Sequence, residues 1–353
     1  MIMTLDEHEL GLFTGLVPSF RGRKVGVIGD LVADSYVYGV PVRLSREAPV
    51  MILRHEREEF FPGGAANTVS NLLALGAEVH VFGLVGEDAQ GTKLLEHLRA
   101  MGADVSSVIR SSAWRTIAKS RILAGDYHTK KQQVLRIDQE PGRAPSPEER
   151  RLVEQRLREA SSFVEAWVVS DYGYELATGP STIEIVRGEC SAGKVVVADS
   201  RYRVRDFRGF TLVTPNEMEL FAAYGIEHIP VEGAGEGLVL ETGRRLLQDL
   251  GSSSAVLVTR GNRGMVLFEH GREPRTIPIS GTSDIVDVSG AGDTVVSAAT
   301  LSLASRSSLV SAARLSNIAA GVKVMKHGTV PVSSAELLGA ARKLTQVSGP
   351  ARN

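Results

Sequence analysis

Short apolar runs alternate along most of the chain with segments in which apolar residues recur at helical spacing. The runs have the length of buried strands, and they cover residues 24–28, 79–85, 166–170, 195–199, 212–214, 255–259 and 265–269. After the second run, Leu94, Leu95 and Leu98 lie on one face of a helix. Strands that alternate with helices predict an α/β fold, with a mostly parallel central sheet and helices on both faces.

Capping signals and small apolar residues predict further helices. The segment Ser146-Pro147-Glu148-Glu149 combines a cap residue, a proline in the first position and a glutamate in the third, which indicates a helix start. Residues 5–20 form a short amphipathic pattern, and 294–304 and 308–326 are long runs of small apolar residues. We expect the last two to be buried helices that close the fold.

Two segments do not follow this alternation. Residues 31–62 are irregular and contain tyrosines, prolines and a charged run, whereas residues 114–138 alternate as strands do. We expect both to lie outside the main sheet and to pair with each other as a small β-sheet. The chain then consists of one domain, residues 1–345, and a flexible tail, residues 346–353.

Composition and charge exclude several classes of protein. The 353 residues carry a formal net charge of −1, so nucleic acid is not an expected partner. The single cysteine, Cys190, excludes an internal disulfide framework and fits a reducing compartment. The N-terminal residues lack the pattern of a signal peptide, and no apolar run has the length of a transmembrane helix. We therefore expect a cytoplasmic protein without membrane attachment.

Polar and mostly acidic residues follow the predicted strands, at the sheet edge where open α/β proteins bind ligands. They are Asp30, Asp171, Asp199, Asn216 and Glu219, with a glycine-rich loop at 260–264. Each fits a turn or a helix cap by itself, but their repetition along one edge indicates a binding site. Asn216 and Glu219 could organise waters around Mg²⁺ or cap a helix. The 260–264 loop could contact phosphates or only turn a hairpin.

The segment from Asp287 to Thr294 is the strongest candidate for catalysis. Its glycines leave backbone N–H groups bare at the start of a helix, and the helix dipole adds partial positive charge there. The segment therefore predicts an anion site. Asp293 lies inside it and can accept the proton of a hydroxyl that attacks a bound phosphoryl group, or it can serve only as a helix cap.

Four motifs resemble those of the ribokinase-like (PfkB) carbohydrate kinases. The C-terminal and N-terminal motifs are Asp287-Val-Ser-Gly-Ala-Gly-Asp293 and Gly63-Gly64-Ala65-Ala66-Asn67, the latter followed by Gly76 and Gly86. The Asn-x-x-Glu element and the nucleotide loop are Thr214-Pro-Asn-Glu217 with Glu219, and Thr259-Arg-Gly261 with Gly264. The resemblance implies a three-layer ribokinase-like α/β fold with a small β-sheet lid, and an enzyme that transfers phosphate from ATP to a sugar.

The resemblance also implies roles for individual residues. Asp293 would be the general base, and the N–H groups of Gly290, Ala291 and Gly292 would stabilise the transferred phosphoryl group. The residues implied for ATP are Asn216, Thr259, Gly261, Gly264, Asp287, Asn317 and Gly321. Mg²⁺ would be held through Asn216 and Glu219, and a monovalent cation is left open as a further cofactor. The residues implied for the sugar hydroxyls are Asp30, Gly63, Gly64 and Asn67.

Within the family, four stretches resemble the heptose 7-phosphate kinases: Gly29-Asp30, Arg43 to Val50, Gln132 to Asp138, and Ser170-Asp171-Tyr172. A Tyr174-Glu175 pair departs from the Lys-Gly expected there, and no nucleotidyltransferase part is expected. The likeness implies phosphorylation of D-glycero-D-manno-heptose 7-phosphate at O1. The further residues implied for this substrate are Arg43, Glu47, Gln133, Arg136 and Asp171.

Several alternatives stay open at this point. Lys130 and Lys131 would add charge for the sugar phosphate, or they form a solvated strand face. The substrate could instead be fructose, ribose, another sugar phosphate or a nucleoside, and a non-catalytic sugar-binding protein could keep the same fold. The segments 31–62 and 114–138 would form a lid that excludes water. The free apolar face and edges of such a sheet predict a homodimer through the lids.

Overall fold

The computed structural model describes residues 3–125, 131–226, 235–281 and 285–346. The strands are β1 (Lys24–Gly29), β2 (Leu31–Leu44), β3 (Met51–Gly64), β4 (Glu78–Gly86), β5 (Val108–Ser111), β6 (Ile117–Ala124), β7 (Gln132–Gln139), β8 (Ala166–Asp171), β9 (Val195–Ser200), β10 (Leu212–Val213), β11 (Ala255–Thr259), β12 (Met265–Phe268) and β13 (Arg275–Ile277). The helices are α1 (Glu7–Leu16), α2 (Ala65–Ala74), α3 (Ala89–Ala100), α4 (Pro147–Ala160), α5 (Pro180–Ser191), α6 (Glu217–Ala222), α7 (Gly235–Leu250), α8 (Ala291–Ala304), α9 (Leu309–Lys323) and α10 (Ser334–Gln346). The strand runs predicted from the apolar pattern are confirmed.

The central sheet contains nine strands of the described chain, in the order β13-β12-β11-β10-β9-β8-β1-β4-β5. The strands from β11 through β1 to β5 pair in parallel, whereas β12 and β13 add an antiparallel edge. Because side chains alternate along a strand, Val27 packs into the core on one face and Ile28 into the core on the other. Helices cover both faces, which confirms the predicted layers.

A second, smaller sheet has the order β3-β2-β6-β7. β2 and β3 form one long antiparallel hairpin, so the prediction of an irregular segment at 31–62 is wrong, whereas its pairing with the 114–138 segment is confirmed. The charged run obscured the hairpin because its long side chains find partners within the sheet. Arg57 lies 3.8 Å above the Tyr38 ring and donates to Glu59 at 3.1 Å.

The sequence pattern did not predict two edge strands of the central sheet. The edge strands β5 and β13 were not predicted, since four and three residues are too short for a periodic pattern. Apart from Gln346, the predicted tail lies outside the described residues. Within the described ranges, every helix is too short or too polar to cross a bilayer.

Candidate active site

Asp293 lies in the first turn of α8 as a buried carboxylate held by three side chains. Asn67 Nδ2 donates to its Oδ2 at 2.6 Å, and Thr68 Oγ1 donates to its Oδ1 at 3.1 Å. The Tyr172 hydroxyl lies 3.0 and 3.2 Å from the two oxygens. Burial raises the pKa of Asp293, and these hydrogen bonds oppose the rise. Such a carboxylate is suited to accept a proton near neutral pH.

Glycines give Asn67 and the strand ends their close approach to this carboxylate. Gly290 caps α8 with a φ of 77°, and a Cβ there would lie 2.5 Å from Asn67 Nδ2. Gly63 and Gly64 are buried where β3 meets β2, and a Cβ on Gly64 would lie 2.5 Å from the Asp30 carbonyl oxygen. Asn67, predicted to hold a sugar hydroxyl, is fully buried, and its side-chain amide donates to Asp293.

The cap of α8 presents free backbone donors. The N–H of Ala291 donates to the Val288 carbonyl at 3.2 Å, so this amide is partly engaged. The N–H groups of Gly290 and Gly292 have no acceptor among the described residues. These two amides, with the positive end of the helix dipole, are suited to bind an anion, as the sequence predicts at this position.

Tyr172 connects Asp293 with Asp30. Its hydroxyl contacts Asp293, and its N–H donates to Asp30 Oδ2 at 2.8 Å, where the Tyr174 N–H also donates at 3.1 Å. Burial, and secondly the charge of Asp171, raise the pKa of Asp30 to about 7. Asp171 itself accepts from the Ser200 hydroxyl at 2.6 Å, so its carboxylate is tied into the end of β9. The sequence motifs include Tyr172 but predict no role for it.

A cavity of about 440 Å³ opens beside Asp293. The sequence-predicted residues that line it are Gly290, Ala291, Gly292, Asp293, Asn216, Glu219, Thr259, Gly261, Gly264, Asn317 and Gly321. Apolar side chains such as Ile279 and Val288 share its walls, and this mixture suits a nucleotide. Asp287, predicted for ATP, does not line the cavity. It accepts the N–H groups of Ser289 and Gly328, each at 2.8 Å.

The helix-cap interpretation of Asn216 and Glu219 is confirmed, and the Mg²⁺ interpretation stays a prediction. Asn216 Oδ1 accepts the Glu219 N–H at 2.9 Å, and the Glu219 carboxylate accepts the Asn216 N–H at 2.8 Å, so the pair forms a capping box on α6. The same residues line the cavity.

The 260–264 loop turns the β11–β12 hairpin, and buried Arg260 within it donates to Glu217 at 2.6 Å.

Asp199 and Glu219 bring two carboxylates to one wall of the cavity. Burial raises the pKa of each, and the charge of Glu219 raises that of Asp199 further. Mg²⁺ binds through one or two carboxylates together with phosphates and waters, so these two acids fit the ion. Groups of three or more acidic, histidine or cysteine side chains that could hold a metal by themselves are absent from the described residues.

Some residues predicted to bind substrate lie away from Asp293. Arg43 and Glu47 are exposed near the tip of the β2–β3 hairpin. The start of β2 follows Asp30 directly in the chain. The rise of an extended strand puts Arg43 about 40 Å away from that point. Gln133 is exposed on β7, and Lys131 pairs with Glu56. The structure therefore does not bring Arg43 or Glu47 to the base within one copy of the chain. Lys130 lies outside the described residues.

Cations on β6 and β7 form a group with Arg201, which lines the cavity and stacks 4.4 Å from the centre of the Tyr172 ring. Arg121 lies directly opposite Arg136 across the strand pair. The pKa of Lys119 is lowered by burial first and then by the charges of Arg201 and Arg136. We call Lys119, Arg121, Arg136 and Arg201 the basic cluster. Only Arg136 was predicted; the alternation of 119 and 121 on one strand face was the available signal.

Comparison with known proteins shows the family to which this chain belongs. A model of the pfkB family carbohydrate kinases matches residues 23–336. The chain belongs to this family. It is therefore a phosphotransferase whose acceptor is an alcohol group of a sugar.

Among its relatives are bifunctional proteins named HldE. The chain is 38% identical over 339 residues to HldE of Gluconobacter oxydans, which covers 94% of this chain and 66% of the relative. It is 36% identical over 314 residues to HldE of Geobacter sulfurreducens, covering 89% and 62%. The chain thus spans slightly less than two thirds of the length of these relatives.

Solved structures confirm the ribokinase-like fold. Phosphofructokinase-2 of Escherichia coli in complex with potassium superposes with a TM-score of 0.71 at 18% identity, covering 92% of this chain and 99% of that one. Ribokinase of Arabidopsis thaliana complexed with ribose and ATP superposes with a TM-score of 0.67 at 18% identity, covering 91% and 99%. At this identity the likeness concerns the fold alone.

Proposed function

We propose that this protein is an ATP-dependent kinase of a sugar phosphate, most specifically D-glycero-D-manno-heptose 7-phosphate, which it converts to the 1,7-bisphosphate. The single observation that supports a phosphorylated sugar as the acceptor is the basic cluster near Asp293. The heptose itself is supported by the four stretches that resemble heptose 7-phosphate kinases. We also place the enzyme in the cytoplasm, where ATP is supplied.

The basic cluster is costly without an anion. Like charges directly opposite each other on paired strands are unfavourable, and Arg121 and Arg136 occupy such positions. Asp34 pairs with Arg121, and Asp138 accepts from Arg136 at 2.9 Å, but Lys119 adds a further positive charge. Arg201 adds another, which also faces the carboxylates of Asp199, Glu219 and Asp293. The planar guanidinium groups match the oxygens of a phosphate, so a phosphate on the sugar would relieve this repulsion.

Phosphoryl transfer follows from the position of Asp293. Asp293 takes the proton of the sugar O1 hydroxyl as its oxygen bonds to the γ-phosphorus of ATP, and the bond from that phosphorus to the β-phosphate oxygen breaks to release ADP. The free N–H groups of Gly290 and Gly292 stabilise the charge on the transferred group. Asp30 holds a sugar hydroxyl, and Asn317 and Gly321 line the nucleotide's end of the cavity. Asp199 and Glu219 would hold Mg²⁺, which would supply positive charge against the phosphates.

Consumption of ATP over a panel of acceptors tests the proposal. Heptose 7-phosphate should be used best, and heptose without its phosphate, fructose, ribose and nucleosides poorly. The Arg136→Gln variant should raise KM for the phosphorylated sugar while leaving kcat with an unphosphorylated sugar unchanged. An enzyme that prefers unphosphorylated sugars would sink the proposal, and the absence of turnover with every acceptor would favour a non-catalytic binder.

We further infer that two copies associate through the second sheet, which would act as a lid. The exposed apolar side chains of this sheet are Val42, Leu44, Val50, Met51, Val134, Leu135 and Ile137, each more than half exposed. Its edge strands β3 and β7 present unpaired backbone groups on their outer sides. A partner would cover both features. It would also give Arg43 and Glu47, remote from the base of their own chain, a site in the partner to reach.

A further inference from the structure

Lys323 is a buried cation without a hydrogen-bond partner among the residues that the structure describes. It is the last residue of α9, where lysine normally extends into solvent, yet it is 0% exposed. Its Nζ makes no hydrogen bond to any described residue. Burying an ammonium group in this way costs several kcal/mol. A buried, unpaired charge lowers the stability of the fold, so its presence here indicates that the charge has a function.

The surroundings of Lys323 belong to the catalytic loop. The charges of Asp287 and Asp293 favour the ammonium form, while burial, the largest effect, and the charge of Lys326 lower the pKa of Lys323. The backbone also joins α9 to this loop, since the N–H groups of Val286 and Asp287 both donate to the Val324 carbonyl, at 2.9 and 3.0 Å. Lys323 therefore stands behind the segment that carries the base and the anion site.

We propose that Lys323 is the resident cation of the catalytic loop: its ammonium supplies the positive charge behind residues 287–293, so the kinase needs no added monovalent cation. This inference rests on the proposed phosphoryl transfer. The ammonium balances Asp287, which fastens the loop to Gly328, and it opposes the build-up of negative charge when phosphate binds at the start of α8. An added ion beside Asp287 would meet this fixed positive charge, so the residues do not fit one.

The Lys323→Met variant separates a functional from a structural role. Methionine keeps the length and removes the charge, so we expect a melting temperature equal to or above that of the wild type, with kcat lower by at least about tenfold. Lys343→Met, at an exposed lysine, is the matched control and should change neither quantity. Unchanged turnover in Lys323→Met would overturn the proposal, as would a lower melting temperature with full activity per folded molecule.

Cation dependence gives a second test that does not need turnover. Thermal unfolding in potassium chloride should equal that in tetramethylammonium chloride of the same ionic strength for the wild type. Lys323→Ala leaves a cavity with room for a small cation, so ammonium, methylammonium or potassium should raise its melting temperature and restore part of its kcat. Specific stabilisation of the wild type by potassium would overturn the proposal. If no acceptor is phosphorylated, the proposed function fails. The unfolding comparison would still show whether Lys323 takes the place of an added monovalent cation.

Discussion

Asn67 Nδ2 donates a hydrogen bond of 2.6 Å to Oδ2 of Asp293, across a sequence separation of 226 residues. The Oδ1 of the same amide accepts from Asn71 Nδ2 at 3.3 Å, which fixes its orientation. Because a side-chain amide nitrogen can only donate, this bond favours the ionised form of Asp293. The N-terminal motif therefore acts on Asp293 itself.

Asp293→Asn removes the proton acceptor and keeps the shape of the side chain. We expect kcat to fall by about 10²–10⁴-fold, the usual contribution of a general base, with little change in ATP affinity. Steady-state kinetics and calorimetric titration with ATP measure the two effects separately. Turnover close to that of the wild type would exclude Asp293 as the base.

Gly290→Ala should break the contact between α8 and Asn67. The new Cβ would lie 2.5 Å from Asn67 Nδ2, at a left-handed φ that costs alanine roughly 1–2 kcal/mol by itself. We expect a lower melting temperature and a large loss of kcat. Gly292→Ala is the control for stability, because its nearest contact would be 3.7 Å and alanine favours a helix by up to about 1 kcal/mol. Equal melting temperatures for the two variants would contradict this account.

Tyr172→Phe removes a hydrogen bond that favours the ionised base. The pKa of Asp293 should then rise further, because burial is opposed by one hydrogen bond fewer. The acidic limb of the pH–rate profile would move to higher pH, so activity falls most below neutrality. Tyr174→Phe is the control, since that hydroxyl contacts only Glu140, at 3.4 Å, among the described residues. Identical profiles for wild type and Tyr172→Phe would remove the tyrosine from this role.

Asp30→Asn should stabilise the fold at neutral and higher pH. With a folded pKa of about 7 against an ordinary 3.8, Asp30 holds its proton in the folded chain and releases it in the unfolded chain over this interval. The free energy of unfolding contributed by Asp30 thus falls as pH rises from about 4 to 7, and stays low above that. The Asp30→Asn variant has no carboxylate to ionise, so it should not lose this free energy of unfolding, which is on the order of a few kcal/mol. Its KM for the sugar should rise.

Asp34→Asn is the contrasting variant for this measurement. Asp34 is buried as well, but it is paired with Arg121, so its loss leaves an uncompensated cation and should lower the melting temperature. Thermal unfolding across the pH range compares the two variants with the wild type. A loss of stability in Asp30→Asn above pH 7 would refute the assigned protonation.

Charged substitutions on the second sheet test the dimer. Leu44→Glu and Ile137→Glu should shift the sedimentation coefficient from that of a dimer to that of a monomer, because a buried unpaired carboxylate opposes association. Leu12→Glu changes an exposed leucine of α1 and should have no effect. If the wild type sediments as a monomer at all concentrations, Arg43 and Glu47 lose their proposed site in a partner.

The sequence predicted the order of the strands and helices of the main sheet because burial on both faces leaves a strong local pattern. It could not predict the long hairpin at 31–64, since there the polar side chains are satisfied across the strands and the alternation is hidden. Its motifs located Asp293, Asn216, Glu219 and the glycines, because a helix start with bare N–H groups has a local signature.

The sequence by itself thus determined the family and the fold class, and it predicted Asp293 as the base. Only the tertiary structure decided which groups act on that base, because Asn67, Thr68 and Tyr172 reach Asp293 from elements far apart in the chain. The same holds for Lys323, an unremarkable lysine in the sequence whose burial appears only when α9 packs behind the catalytic loop. The separation of two residues along the chain does not show whether they are in contact, because the packing of the elements in the fold decides this.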